Sequence, residues 1–398
     1  MRKNKIDIIS LGCSKNLVDS EHLIRQFQAN GYSVEHNPSR VDGEIVVVNT
    51  CGFIRDAQEE SIDMILELGR AKKEGKIKEL FVMGCLAERF MAQLIDELPE
   101  VDKFYGKFNW KEMLNDLGKS YKEDLSSERY LTTPKHYAYL KISEGCNRFC
   151  AFCAIPLITG RHKSVPMDTL LNEVKYLVSQ GVKEFNVIAQ DLSSYGLYLY
   201  GKMMLPELID QMAQIEGVEW IRLHYAYPTQ FPYDILPVMA KHDNVCKYLD
   251  IALQHSSDKV LNNMQRHITK AETIELIKRI RKEVPGIHIR TTLMVGFPGE
   301  GEEEFNDLVD FVEEMRFERM GAFAYSEEEG TFAAKHFDDI IPEDVKADRL
   351  DKIMEIQEEI SDEIQSKKVG NVYKVIIDSV DEMYYSGRTE WDSPEVDP

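Results

Sequence analysis

The sequence predicts an α/β protein built of an N-terminal parallel α/β domain, a partial TIM-type (β/α)6 barrel and a truncated C-terminal β domain. Three observations predict it. Short apolar runs alternate with helical patterns up to about residue 330, as parallel sheets with crossover helices require. Six of the seven cysteines follow a candidate strand directly or lie in the loop after one. Beyond residue 367 only two further strand patterns remain.

In the first part, expected over 1–120, strands are read at 5–10, 45–49 and 80–83, and helices at 16–30, 58–73 and 88–98. Cys13 in Leu-Gly-Cys-Ser, Cys51 in Asn-Thr-Cys-Gly and Cys85 in Met-Gly-Cys-Leu each follow a strand and precede a helix. Such junctions share one edge of a parallel sheet, the edge where ligands bind, so three thiols distant in sequence meet in space. Helix N-termini also favour thiolates and an anionic cluster. Any one of these cysteines alone would read as a small buried hydrophobe. At three equivalent junctions they predict an iron-sulfur cluster.

A polar stretch with Ser126, Ser127, Thr132, Thr133 and Pro134 reads as a linker over 121–136. The barrel, expected over 137–330, takes strands at 137–142, 183–190, 218–225, 248–253, 287–295 and 320–325, with helices such as 169–180, 273–283 and 302–315 between them. Directly after its first strand stand Cys146, Cys150 and Cys153 in CxxxCxxC spacing, in a loop at the mouth where barrel active sites lie. Structural zinc is closed by four protein ligands, so three thiols read better as a cluster with one iron open to a small molecule.

Gln190 and Asp191, Gln254 and His255, and the Gly296 to Glu300 turn fall at the same rim. Gln190, Gln254 and Gly296 are candidates for cofactor contact, and equally a turn and polar residues satisfied within the barrel. His255 reads as a hydrogen-bonding scaffold, and Cys246, without cysteine neighbours, as buried and structural. The acidic run Glu300, Glu302, Glu303, Glu304, Asp307, Asp310, Glu313, Glu314 and Glu318 reads as a solvated helix face. A connecting segment is expected over 331–367, its helix at 343–366 leaving the barrel, and a partial β domain over 368–398 with strands at 372–377 and 383–387. Two strands cannot bury a core alone.

With 398 residues the chain can bury sizeable cores. Seven cysteines without an apolar leader point to a reducing, cytoplasmic setting, and no run approaches a membrane span, so no membrane partner is expected. The net charge of −21 weighs against a phosphate backbone such as tRNA and favours a basic protein partner.

The three-cysteine loop, with Phe152 just before the third cysteine, resembles the radical S-adenosylmethionine (SAM) superfamily. Taken whole, the chain resembles the methylthiotransferase branch of that superfamily, which has an N-terminal cluster domain, the radical SAM barrel and a C-terminal TRAM domain. Four stretches carry the match: Leu-Gly-Cys-Ser-Lys-Asn-Leu-Val-Asp-Ser-Glu at 11–21, Ala-Gln-Asp-Leu-Ser-Ser-Tyr-Gly at 189–196, Leu-Gln-His-Ser-Ser at 253–257 and Ser-Gly-Arg-Thr-Glu-Trp-Asp-Ser-Pro-Glu-Val-Asp at 386–397. Ala252, where a proline is common, departs from the pattern.

The resemblance implies SAM and two 4Fe-4S clusters as cofactors. Cys146, Cys150 and Cys153 would hold the SAM cluster, Cys13, Cys51 and Cys85 the auxiliary one, and Phe152 would pack near the adenine. It further implies methylthio transfer to the β-carbon of an aspartate in small-subunit ribosomal protein S-twelve, with a low-potential electron donor and cofactor chemistry rather than a catalytic side chain. The competing readings are a tRNA adenosine methylthiotransferase on the same scaffold and, in another class, a non-catalytic iron-sulfur electron carrier.

Overall fold

The computed structural model describes residues 2–395; Met1, Val396, Asp397 and Pro398 lie outside the described residues. The first part is a five-stranded sheet in the spatial order Ser33–His36, Arg2–Ser10, Gly43–Thr50, Glu79–Gly84, Lys103–Phe104, and every pair is parallel. Its strands are near-continuous apolar runs because helices cover both faces. Ile6, Ile8, Val47 and Phe81 pack to one side, and Val46, Val48, Leu80 and Val82 to the other. Ser33–His36 and Lys103–Phe104 had no sequence signal: they are four and two residues long and carry Ser, Glu, His and Lys.

The second part is an open six-stranded parallel sheet whose strands stand side by side in chain order: Tyr137–Lys141, Glu184–Ile188, Trp220–Ala226, Val245–Gln254, His288–Val295 and Arg319–Ala324. This is the partial (β/α)6 barrel. Leu140, Val187, Leu223, Ile251 and Leu293 belong to its core together with Leu170, Ile277 and Phe311 of the surrounding helices.

Residues 121–136 are packed against both neighbours rather than spanning freely between them. The Gln26 side chain donates to the Lys122 carbonyl at 3.0 Å and Arg25 pairs with Glu128 at 2.7 Å. Buried Arg129 pairs with Glu21 of the first part and Glu173 of the second, each at 3.2 Å.

Helix Glu343–Ser366 runs along the barrel instead of leaving it. Ile353, Ile356 and Ile360 recur at helical spacing on one stripe and join the barrel core. The C-terminal strands are Val375–Val380 and Tyr385–Thr389, an antiparallel pair set two to three residues beyond the expected runs.

The second of these strands and the segment after it cover the barrel end opposite the cysteine loop. Arg388 pairs with Glu184 at 2.7 Å, Trp391 stacks on His288 at 4.5 Å, and Glu395 accepts from the hydroxyls of Tyr137 and Tyr139 at 3.1 and 2.8 Å. Tyr137, Glu184 and His288 are the first residues of their strands. Among the described residues no helix is long and apolar enough to cross a membrane.

Candidate functional site

The loop that carries Cys146, Cys150 and Cys153 is entered through Gly145 at φ +80°. Its ends are pinned by main-chain hydrogen bonds from Cys146 to Gly160 (3.2 Å) and from Ala151 to Met264 (2.9 Å). In the first part, Cys13 caps helix Ser14–Ala29, Cys51 follows strand Gly43–Thr50, and Cys85 opens helix Cys85–Glu97. The same-edge expectation therefore holds for all three.

Both trios line one cavity of about 350 Å³ between the sheet edge and the barrel mouth. Phe152, Gln190, Gln254, Lys15, Asn16, Lys107, Arg148, Tyr225, Tyr227 and Arg266 are among the other residues of its wall. Cys85 packs on Ala154 and Ile158 of the barrel, so the two trios are held together by an apolar contact.

Among the described residues, neither trio brings all three sulfurs within 4.8 Å of one another. Tetrahedral zinc bonds of about 2.3 Å would draw sulfurs to roughly 3.8 Å. At least one pair of sulfurs in each trio therefore stands farther apart than a single zinc ion would draw them.

Burial pushes the Cys85 and Cys146 thiols up to about 12 and raises those of Cys51 and Cys153 as well. Enclosure works the same way on Cys13, but Lys15, Lys107 and the neighbouring main-chain amides outweigh it and hold that thiol below its ordinary value.

Around the barrel trio, Arg266 donates to Cys150 Sγ at 3.2 Å, and the Tyr227 hydroxyl lies 3.5 Å from the same sulfur. The Tyr227 ring also meets two guanidinium groups, Arg148 at 4.3 Å and Arg266 at 4.1 Å. Arg148 pairs with Asp191 at 2.7 Å.

Gln190 donates through Nε2 to Glu144, while its Oε1, Gln254 Oε1 and Arg266 Nε are buried without a hydrogen-bond partner. Such groups carry a desolvation cost until something polar meets them. Positive φ at Phe149, Tyr225, Gln230, Gln254, Gln265 and His267 clusters around the same mouth. Each costs about 1–3 kcal/mol and persists only where the surroundings impose it.

Gly296 is not among the residues that line the cavity: a Cβ there would fall 2.5 Å from Lys346 Cγ, and its N–H donates to Glu300 Oε1 at 2.9 Å. The glycine serves the turn and the close approach of the connecting helix. His255 is the expected scaffold, with Nε2 at 3.0 Å from Glu300 Oε2 and Nδ1 accepting from the Ser257 amide. Glu300 is consequently buried and outside the solvated acidic face. Cys246 is buried beside Trp220 and Tyr248.

Sequence reasoning missed Lys107, Tyr227 and Arg266. Lys107 is drawn into the wall by Asp19 at 2.9 Å and Asn16 at 3.2 Å, residues 88 and 91 positions away. No local spacing could have reported that pairing.

An open parallel barrel with a three-cysteine loop at its mouth defines the radical SAM class, and the family model described as "Radical SAM superfamily" matches residues 140–312. The model "Uncharacterized protein family UPF0004" matches residues 5–106 and the TRAM domain model residues 369–398.

The ribosomal protein uS12 methylthiotransferase RimO of Parabacteroides distasonis is 65% identical over 398 residues, 100% of this chain and 92% of its own length. That of Flavobacterium johnsoniae is 52% identical, over 100% and 91%. The chain belongs to the family of ribosomal protein uS12 methylthiotransferases.

Among solved structures, the radical SAM methyltransferase TsrM of Kitasatospora setae aligns with TM-score 0.61 at 13% identity, covering 84% of this chain and 77% of that one. The cobalamin-dependent SAM radical enzyme OxsB with aqua-cobalamin and SAM bound aligns with TM-score 0.56 at 13% identity, covering 89% and 56%. These likenesses concern the fold. Membership of the radical SAM superfamily implies SAM and one 4Fe-4S cluster.

Proposed function

We propose that this chain adds a methylthio group to the β-carbon of an aspartate in ribosomal protein uS12. Cys146, Cys150 and Cys153 would hold the cluster that engages SAM, and Cys13, Cys51 and Cys85 a second 4Fe-4S cluster. The observation that carries the reading is the convergence of both trios on one cavity wall. When bound, these groups supply the one-electron and sulfur-transfer chemistry that acid and base side chains cannot.

The residues of the chain bind, orient and shield. Phe152 offers an aromatic edge to a base, and the unpartnered Oε1 atoms of Gln190 and Gln254 accept from polar hydrogens of the cofactor. Arg266 donates to the Cys150 sulfur at 3.2 Å and orients it in the cavity wall. The contact of Cys85 with Ala154 and Ile158 keeps water from entering between the two parts. The setting is cytoplasmic, with a low-potential electron donor, and the part boundaries near 120, 136, 330 and 367 serve this division of labour.

tRNA methylthiolation on the same scaffold is the rival reading, and the net charge of −21 weighs against it. Anaerobically reconstituted protein should carry about eight irons, two cubes of four. Cys13→Ala should lose about half of them and still release deoxyadenosine from SAM under reduction, whereas Cys146→Ala should lose the other half and the cleavage with it. Mass spectrometry of uS12 after turnover should show one methylthio group on an aspartate. Modified tRNA with unmodified uS12 would reverse the assignment.

A further inference from the structure

The cavity wall carries four cations, and three are engaged. Lys107 is held by Asp19 at 2.9 Å, Arg148 by Asp191 at 2.7 Å, and Arg266 by Cys150 Sγ at 3.2 Å and the Ala252 carbonyl. Lys15 differs. It is half-buried in the first turn of helix Ser14–Ala29, and among the described residues its only close polar contact is the face of Tyr225, 3.6 Å from Nζ. Its charge acts on the Cys13 thiol two residues away, but no carboxylate among the described residues pairs with it, and an ammonium partly withdrawn from water is stabilised when an anion reaches it.

Tyr225 comes from the barrel and holds φ +64°, a strained conformation that fixes its ring beneath the ammonium. The cation thus stands where the two parts meet, two residues from Cys13 and on the wall shared with Cys146, Cys150 and Cys153.

We propose that Lys15 is a specificity-determining residue that receives the side-chain carboxylate of the target aspartate. The inference rests on the proposed uS12 reading. In aspartate the carboxylate carbon is bonded directly to the β-carbon, about 1.5 Å away. Anchoring the carboxylate on a cation set by an aromatic face therefore fixes the reacting carbon between the two cysteine trios. An asparagine offers the same shape without the charge, so the ammonium discriminates against it by the strength of one ion pair.

The test is a double-mutant cycle on the reconstituted, unreduced protein, in which no turnover occurs. Dissociation constants are measured for isolated uS12 and for uS12 with the target aspartate changed to asparagine, against wild type, Lys15→Gln and Lys15→Arg. Iron content and SAM affinity are measured on each variant. Lys15→Gln should weaken natural uS12 about tenfold, an ion pair worth about 1.4 kcal/mol. Lys15→Arg should stay within about threefold of wild type, and the asparagine form should bind weakly and equally to all three proteins.

Equal losses on both forms of uS12, or no loss on either, overturn the assignment. So does a fall in SAM affinity or iron content with uS12 affinity intact, which would give the ammonium to the SAM carboxylate or to the cluster. If wild type fails to bind uS12 at all, the substrate reading falls and this assignment falls with it.

Discussion

Gly145 shows how a single residue sets the cysteine loop. At φ +80° a Cβ would stand 2.3 Å from the Arg161 carbonyl oxygen and 2.8 Å from that of Gly160, and the Cys146 amide is bonded to the latter. Main chain cannot swing aside as a flexible side chain does. Gly145→Ala should cost about 2–4 kcal/mol, strain plus displaced backbone, and should lower iron retention in the SAM-cluster trio. Gly181→Ala is the control, because at φ +103° its Cβ meets nothing within 4 Å. It should cost about 1 kcal/mol and leave iron unchanged. Chemical denaturation and iron analysis of the two variants separate the outcomes, and equal iron loss would refute a special role for this turn. The glycine and cysteines were readable because they sit within one short stretch. Arg266 was not, since it follows its strand by twelve residues and only folding sets it against Cys150.

At the scale of elements, the long strands and helices were legible from apolar periodicity, and their cores kept the expected order. Their ends shifted by a few residues, because termini are set by hydrogen-bond partners rather than by composition. The acidic helix Glu302–Met315 was only half legible, since the cations that answer it come from other helices or the loops before them. Lys259 pairs with Glu304 at 2.8 Å and Lys270 with Asp307 at 2.6 Å. Helix Glu343–Ser366 was legible as a helix and not as a packed one. Its isoleucine stripe meets the barrel beside strand Arg319–Ala324, and Ile353 is wholly buried. Ile353→Ala should therefore destabilise the protein by about 2–4 kcal/mol, the transfer and cavity cost of a core isoleucine. A helix merely leaving the barrel would lose less than 0.5 kcal/mol in the same urea titration.

The whole molecule depends on two α/β parts staying closed over one cavity, and much of that closure is electrostatic. Asp19 of the first part binds Lys141 of the second and Lys107 behind it, and Arg129 links Glu21 to Glu173. His22 lies in this seam. Burial, reinforced by the Arg129 charge, pushes it down to about 3. His288, under Trp391 at the opposite end of the barrel, is pushed down to about 3 by burial and then Lys368. Between about pH 6.5 and 3 the unfolded chain binds protons at these sites and the folded chain does not, so stability falls as pH falls through that window and is unaffected by them above it. Each histidine contributes a slope of about 1.4 kcal/mol per pH unit at most. Asp19 adds nothing in the upper part of the window. Burial alone would raise it, but Lys107 and Lys141 outweigh burial and hold it at about 2, so its contribution is lost only below the ordinary carboxylate range. Denaturation midpoints should thus drop steadily from pH 6.5 to pH 5, and His22→Gln should flatten that slope without altering the midpoint's trend above pH 7. A slope unchanged by His22→Gln would mean that the seam tolerates a further positive charge beside Arg129.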